Sequence, residues 1–167
     1  RAPGEPVLGV TFDGTGYGLD ASIWGGEFLL GSYSGVARVA HLRPVSLPGG
    51  DAAVRHPART ALAHLDAAGL EWDDRLPAVA ELEPQQRTLL AGMLRSGTGC
   101  TPTTSMGRLF DAIAALAGVC ERVGYEGQAA IELEALLADV PQPGEGYRFE
   151  VADGDAALVV DPAPVLR

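Results

Sequence analysis

Between Val7 and Phe28 an apolar run, Val7-Leu8-Gly9-Val10-Thr11-Phe12, reaches Asp13 and breaks over alternate glycines at 14, 16 and 18. It returns as Ile23-Trp24-Gly25-Gly26-Glu27-Phe28. A pattern of this kind admits few structures. The β-prone flanks require two strands, and bare backbone at every second position is needed where a chain bends tightly or something must lie against it. Successive N–H groups in such a turn can form a concave anion site. The carboxylate at the strand end cannot attract phosphate; it suits a metal ion or a hydroxyl. The residues leave two readings open, a nucleotide-phosphate turn and a β-hairpin with a glycine-rich loop.

Turn signals at Gly14–Asp20 and Ser34-Gly35 divide the first third into β segments at about 7–13, 22–33 and 36–45, an antiparallel meander. Asp51 is placed to N-cap a helix running to Ala68, interrupted at His56-Pro57 and stopped by Gly69. A loop over Leu70–Leu82 precedes a helix from Pro84 to Ser96, ended by Gly97, and Thr98–Thr104 reads as loop. A helix from Ser105 carries Leu109, Phe110, Ile113, Leu116 and Ala117 as an apolar stripe. Another, about Gly127–Asp139, shows Ala130, Ile131, Leu133, Leu136 and Leu137. After a Pro/Gly break at Pro141–Gly146 come hairpin arms at Tyr147–Val151 and Ala156–Val160 around Asp153-Gly154. Strands first, then helices, then a hairpin describe a sheet with helices segregated to one side.

The 167 residues suit one domain with a real core, and 47% hydrophobic with 20% charged residues is ordinary for a globular protein. All 12 basic residues are Arg, which excludes a Walker-type phosphate loop and Schiff-base chemistry. A net charge of −10 argues against a broad nucleic-acid surface and against docking on an anionic membrane. No apolar run approaches a membrane span and the start has no signal-peptide pattern. The chain opens on Arg1 without an initiator Met and reads as a segment of something longer. Cys100 and Cys120 lack metal-ligand or redox-motif spacing and read as reduced thiols of a cytoplasmic protein, with a disulfide between them as the alternative.

Asp111, directly after Phe110 on an apolar helix, either faces solvent or enters a pocket; Arg108, three residues earlier, offers a local ion pair. Gly124-Tyr125-Glu126-Gly127 opens a helix whose N-terminal N–H groups favour anions, with Glu126 favourable to the helix terminus on electrostatic grounds alone. His41, His56 and His64 have no acidic companions at metal spacing and read as structural or surface residues, and no Ser/His/Asp set assembles.

The segments FDGTGYG, IWGGEF, LPGGD, GRLFDAIAAL and YEGQAA, in this order and spacing, resemble the carbamoyl-transfer region of the HypF family, the carbamoyltransferases that mature nickel–iron hydrogenases. The likeness runs from about residue 7 to 138 and is specific as a combination. That region in turn resembles the tRNA threonylcarbamoyl-transfer proteins. The resemblance implies a mixed α/β, actin-like (RNase-H-like) lobe, with a helical insertion over about 51–97. It further implies that carbamoyl phosphate and ATP give carbamoyl-adenylate. The carbamoyl group then passes to a C-terminal cysteine of a maturation partner and ends as the cyanide ligand of the hydrogenase iron. Gly14, Thr15 and Gly16 would line the phosphate or adenylate side and Asp13 would point at the metal–phosphate region. Asp111 would hydrogen-bond the ribose and Gly127 would let the nucleotide approach the backbone.

The metal-binding histidines of the family, which would hold Mg or Fe/Zn beside ATP, are expected outside this segment, so its metal site is not complete. The later phosphate loop, the adenylate-forming domain, the zinc-finger segment and the acylphosphatase-like domain are also absent, and the 167 residues alone are not expected to turn over. An O-carbamoyltransferase of small-molecule biosynthesis resembles the same region, and a non-catalytic docking domain is the reading from a different class.

Overall fold

In a computed structural model, residues 4–138, 140 and 144–167 are described. Arg1–Pro3, the expected helix end at Asp139 and the first half of the expected break at Pro141–Gly146 lie outside them. Alternation of apolar residues draws the first third into β1 (Val7–Tyr17), β2 (Ile23–Ser32) and β3 (Gly35–Leu42), each antiparallel to the next. Among the strands of the described residues β1 pairs only with β2, and Leu8, Val10 and Phe12 along it are exposed.

Beyond β3 the meander stops. β4 (Val45–Pro48) pairs instead with β5 (Cys100–Thr103), a strand where the sequence reads as loop. Thr103 joins β5 to the end of β2 in parallel, opposite Ile23. The β propensity of four residues around a proline is too weak to announce a strand; the pairing supplied by β4 makes it one. β6 (Glu150–Ala152) and β7 (Leu158–Asp161) form the expected hairpin, with Val151 opposite Val160. β7 also extends the sheet by pairing with β3 in parallel, Leu42 opposite Val160. The result is a seven-stranded mixed sheet.

The helical stretch after β4 is cut at His56 into α1 (Asp51–Arg55) and α2 (Pro57–Ala67), as a proline at the first helical turn requires. Asp51 is the first helical residue rather than the cap. Gly49 and Gly50, at φ +89° and +52°, make the entry turn, and Gly50 occupies the cap position. α3 (Pro77–Ala80) and α4 (Pro84–Ser96) follow, and α4 ends in a left-handed Gly97 at φ +70°.

α5 (Met106–Leu116) packs on α2, and the core between them joins Ala58, Ala61, Leu62 and Leu65 to Ala112 and Ala115, with Val79 and Leu90 from α3 and α4. The deepest positions of α5 are therefore alanines together with Leu109 of the expected stripe, while Phe110, Ile113 and Leu116 are half-buried and Ala117 is exposed. Small side chains let two helices approach closely, and the larger residues then seal the sides. α6 (Gln128–Ala135) is shorter than expected: it buries Ala129, whereas Ile131, Leu136 and Leu137 are exposed. No helix among the described residues is long and apolar enough to cross a membrane.

Candidate functional site

The glycine turn is built by its own aspartate. Asp13 Oδ1 accepts the backbone N–H of Gly14 at 2.6 Å and of Thr15 at 3.3 Å, and the β1–β2 register breaks between Phe12 and Gly16. A side chain that captures the amides ahead of it is a standard way to fix a turn. Ser105, the N-cap of α5, clamps the bulge from the other side. Its hydroxyl donates toward Asp13 O at 2.6 Å and Gly14 O at 2.9 Å, and accepts the N–H of Arg108 at 3.1 Å.

Bare backbone makes this clamp possible. A Cβ on Gly107 would lie 2.8 Å from Gly14 Cα; one on Gly25 would lie 2.3 Å from Asp13 O. One on Gly26 would lie 2.4 Å from Thr104 O. The double glycine of β2 thus serves the approach of the turn and of the Thr104–Ser105 segment.

Behind the double glycine Glu27 is 1% exposed. Its Oε2 accepts the N–H groups of Gly25 at 2.6 Å and Gly26 at 2.9 Å. Its Oε1 accepts Arg38 Nη2 at 2.8 Å and the Thr104 hydroxyl. Arg38 in turn reaches Asp20 Oδ2 at 3.2 Å and lies 4.2 Å over the Trp24 ring. Burying a carboxylate is tolerated when it is paired and fully hydrogen-bonded, and here it ties β2, β3 and the residues after β5 together.

In front of the turn lies a cavity of about 630 Å³, with Thr15, Arg55, Arg108, Gly124, Tyr125 and Glu126 in its wall. A second, about 550 Å³, runs along the other side of Thr15, past Gly16, Tyr17 and Gly18 to Thr101. At the base of the first, Arg108 (4% exposed) and Asp111 (3% exposed) form a buried pair, Nη2 to Oδ2 at 3.1 Å. The pair is incomplete. Arg108 Nε and Nη1 and Asp111 Oδ2 have no hydrogen-bond partner among the described residues. Burial pushes the Asp111 carboxyl up to about 6, with the Arg108 charge pulling the other way.

Thr15 and Gly16 are in cavity walls, and Gly14 lies against Arg108, whose Nη2 would be 3.2 Å from a Cβ there. Asp13, Asp111 and Gly127 are outside the wall of the larger cavity, each adjoining a residue within it. Asp13 faces the turn amides, Asp111 stands behind Arg108, and Gly127, at φ +76°, caps α6 directly after Glu126. Sequence reasoning named neither Ser105 nor Gly107, Arg55 nor Glu27 as part of this arrangement. The available signals were a serine ahead of a helix and an acid stranded in an apolar run.

The remaining chemistry-bearing residues lie elsewhere. His41 Nδ1 is 2.8 Å from Leu42 O, and His64 is buried in α2, its imidazole pushed down to about 4 by burial. Both cysteines are free thiols. Among the described residues no three His, Cys, Asp or Glu side chains gather where they could hold a metal ion.

A family model described as "Carbamoyltransferase, Kae1-like Domain, second subdomain" matches residues 9–167. The chain is 43% identical over 167 residues to the carbamoyltransferase HypF of Rhodobacter capsulatus, covering 98% of this chain and 21% of that protein. It is 41% identical over 157 residues to a HypF homolog of Cupriavidus necator, covering 92% and 40%. The crystal structure of full-length HypF in its phosphate- and nucleotide-bound form superimposes with a TM-score of 0.86 at 36% identity, over 97% of this chain and 21% of that one. The crystal structure of T. kodakarensis HypF gives a TM-score of 0.75 at 31% identity, over 97% of this chain and 22% of that one. The chain thus spans about a fifth to two fifths of the length of these relatives. A mixed α/β fold, a clamped glycine turn and a match from residue 9 to residue 167 agree: the chain belongs to the HypF carbamoyltransferase family, as the second subdomain of its Kae1-like domain.

Proposed function

We propose that this chain is the nucleotide-holding part of an ATP-dependent carbamoyltransferase acting in hydrogenase maturation in the cytoplasm. Carbamoyl phosphate loses its phosphate to water, and the carbamate oxygen attacks the α-phosphorus of ATP to give carbamoyl-adenylate as pyrophosphate leaves. The thiolate of a partner protein's C-terminal cysteine then attacks the carbamoyl carbon, forming a C–S bond as AMP leaves. The observation that carries this reading is the buried Arg108–Asp111 pair, with hydrogen-bonding atoms unused, set beneath a cavity that the glycine turn borders. Unsatisfied buried polar atoms in native proteins are few, and at the base of a cleft they mark a ligand's place.

In this reading Gly14, Thr15 and Gly16 lie along the phosphate or adenylate, and Asp111 accepts a ribose hydroxyl. Gly127 leaves the start of α6 open to the nucleotide. A carboxylate suits a hydroxyl donor and repels phosphate, which separates the roles of Asp111 and the turn. ATP brings a divalent metal in this chemistry, and Asp13 is the one carboxylate of the turn that could face it. The described residues do not by themselves make a metal site.

Titration of the 167-residue chain with AMP, followed by amide chemical shifts, tests the reading. Saturable changes confined to Gly14–Gly18, Asp111 and Gly124–Gly127 are expected. Unchanged spectra at millimolar AMP would remove the nucleotide from this subdomain and leave a docking role. Carbamoyl-phosphate-dependent ATP cleavage by the chain alone is not expected.

A further inference from the structure

Asp111 satisfies only part of Arg108. A guanidinium carries five N–H donors across three nitrogens, and the carboxylate of Asp111 stands 3.1 Å from one nitrogen, Nη2. Nε and Nη1, buried and without an acceptor among the described residues, leave charged N–H donors of the guanidinium unused. Arg108 lies in the first turn of α5, where backbone N–H groups and the helix dipole also favour negative charge. Helix direction alone would mean little; the unpaired donors supply the second and independent mark.

The surroundings are arranged for an anion as well. Arg108 shares the cavity wall with Arg55, which makes no ion pair among the described residues, and with Thr15, whose hydroxyl is likewise without a described partner. Gly14 leaves the space beside the guanidinium free of a side chain. Asp51 and Glu126 are also in the wall, and both are exposed at its rim.

We propose that Arg108 is a phosphoryl-binding residue: its unpartnered N–H groups donate to the oxygens of a phosphate group that enters between Thr15 and Arg55, while Nη2 stays beside Asp111 Oδ2. This rests on the proposed nucleotide reading for the source of the phosphoryl group, but its chemistry is shared by free phosphate.

The test begins with unaltered chain and inorganic phosphate, the ¹⁵Nε–¹Hε resonance of Arg108 being followed at constant ionic strength against chloride. A saturable shift with phosphate and none with chloride is expected. Absence of a phosphate-dependent shift overturns the proposal. Next, AMP and adenosine are compared. Phosphate contact makes AMP bind about tenfold or more tightly than adenosine, the worth of charge-assisted hydrogen bonding, and Arg108→Gln abolishes that ratio while Arg108→Lys restores part of it. An AMP/adenosine ratio near one in the unaltered chain refutes the phosphoryl role while leaving the nucleoside reading intact. A phosphate-dependent Arg108 shift with no binding of adenosine or AMP keeps the anion site and removes the nucleotide. The first measurement needs no substitution, so a misfolded Gln variant does not decide the matter.

Discussion

Two helical glycines in this chain should respond to the same substitution with opposite signs. Gly92 lies in α4 with nothing within 4 Å of a Cβ added to it. Alanine there gains its helix propensity over glycine, about 1 kcal/mol, with no steric cost. Gly107 lies in the first turn of α5, and its added Cβ would meet Gly14 Cα at 2.8 Å, Asp13 O at 3.1 Å and Gly14 N at 3.2 Å. All three are backbone atoms of a turn that Ser105 grips through two carbonyl oxygens, so no flexible side chain can yield. Overpacking of this kind costs about 1–3 kcal/mol, against a propensity gain of about 1 kcal/mol or less at a helix start. Gly107→Ala should therefore lose about 1–2 kcal/mol while Gly92→Ala gains about 1. For a chain of this length each kcal/mol moves the melting temperature by about 2–4 °C, so the two variants should separate by several degrees. Urea and thermal unfolding followed by Trp24 and Trp72 fluorescence reads both. Equal shifts in the same direction would show that the turn and α5 are not in the contact described.

Glu27→Gln should destabilise by about 2–4 kcal/mol in urea unfolding, because one carboxylate oxygen facing Arg38, Thr104 or the Gly25 and Gly26 amides becomes a donor among donors. An unchanged midpoint would mean that the network carries no energy. His64 binds a proton less readily folded, at about 4, than unfolded, at 6.5. The unfolded chain therefore takes up more protons between those values, and stability falls with pH from about 6.5 to about 4, by about 3 kcal/mol in all. His64→Leu should remove that part of the acid loss in urea melts at pH 7.5 and 5. Asp111 acts in the opposite sense. Its raised value, about 6, makes the folded chain the better proton binder between about 4 and 6, so stability from this group rises as pH falls through that window. Amide exchange or melts of the His64→Leu variant should expose this rise, and a flat profile would contradict the burial of Asp111.

The fold was legible wherever one residue settled a local choice. His56-Pro57 cuts the helix and Gly97 ends α4, because proline and a left-handed glycine act without help from the rest of the chain. Asp153-Gly154 lies in the loop that joins the hairpin strands β6 and β7, where a Cβ on Gly154 would meet Ala157 O at 2.5 Å. What escaped depended on partners far away. β5 becomes a strand only through β4 and Ile23, and the apolar stripe of α5 is rotated because α2 presents alanines to alanines. At the site, spacing suggested the Arg108–Asp111 pair, but only the fold shows that it is buried and incomplete. Glu27 was hidden for a similar reason: beside the local Gly25 and Gly26 amides, Arg38 and Thr104 reach it only after the sheet forms.

The single-sided pairing of β1 bears on how this polypeptide behaves in concentrated solution. Before the glycine turn, the outer edge of β1 presents amides and carbonyls that pair with no other strand among the described residues, with Leu8, Val10 and Phe12 alongside. Natural sheets commonly discourage stacking at such margins with lysine, and this chain has none. Protection falls to the overall negative charge, a long-range repulsion that added salt weakens. Dilute, low-salt buffers at neutral pH therefore suit the chain better than crowded or acidic ones.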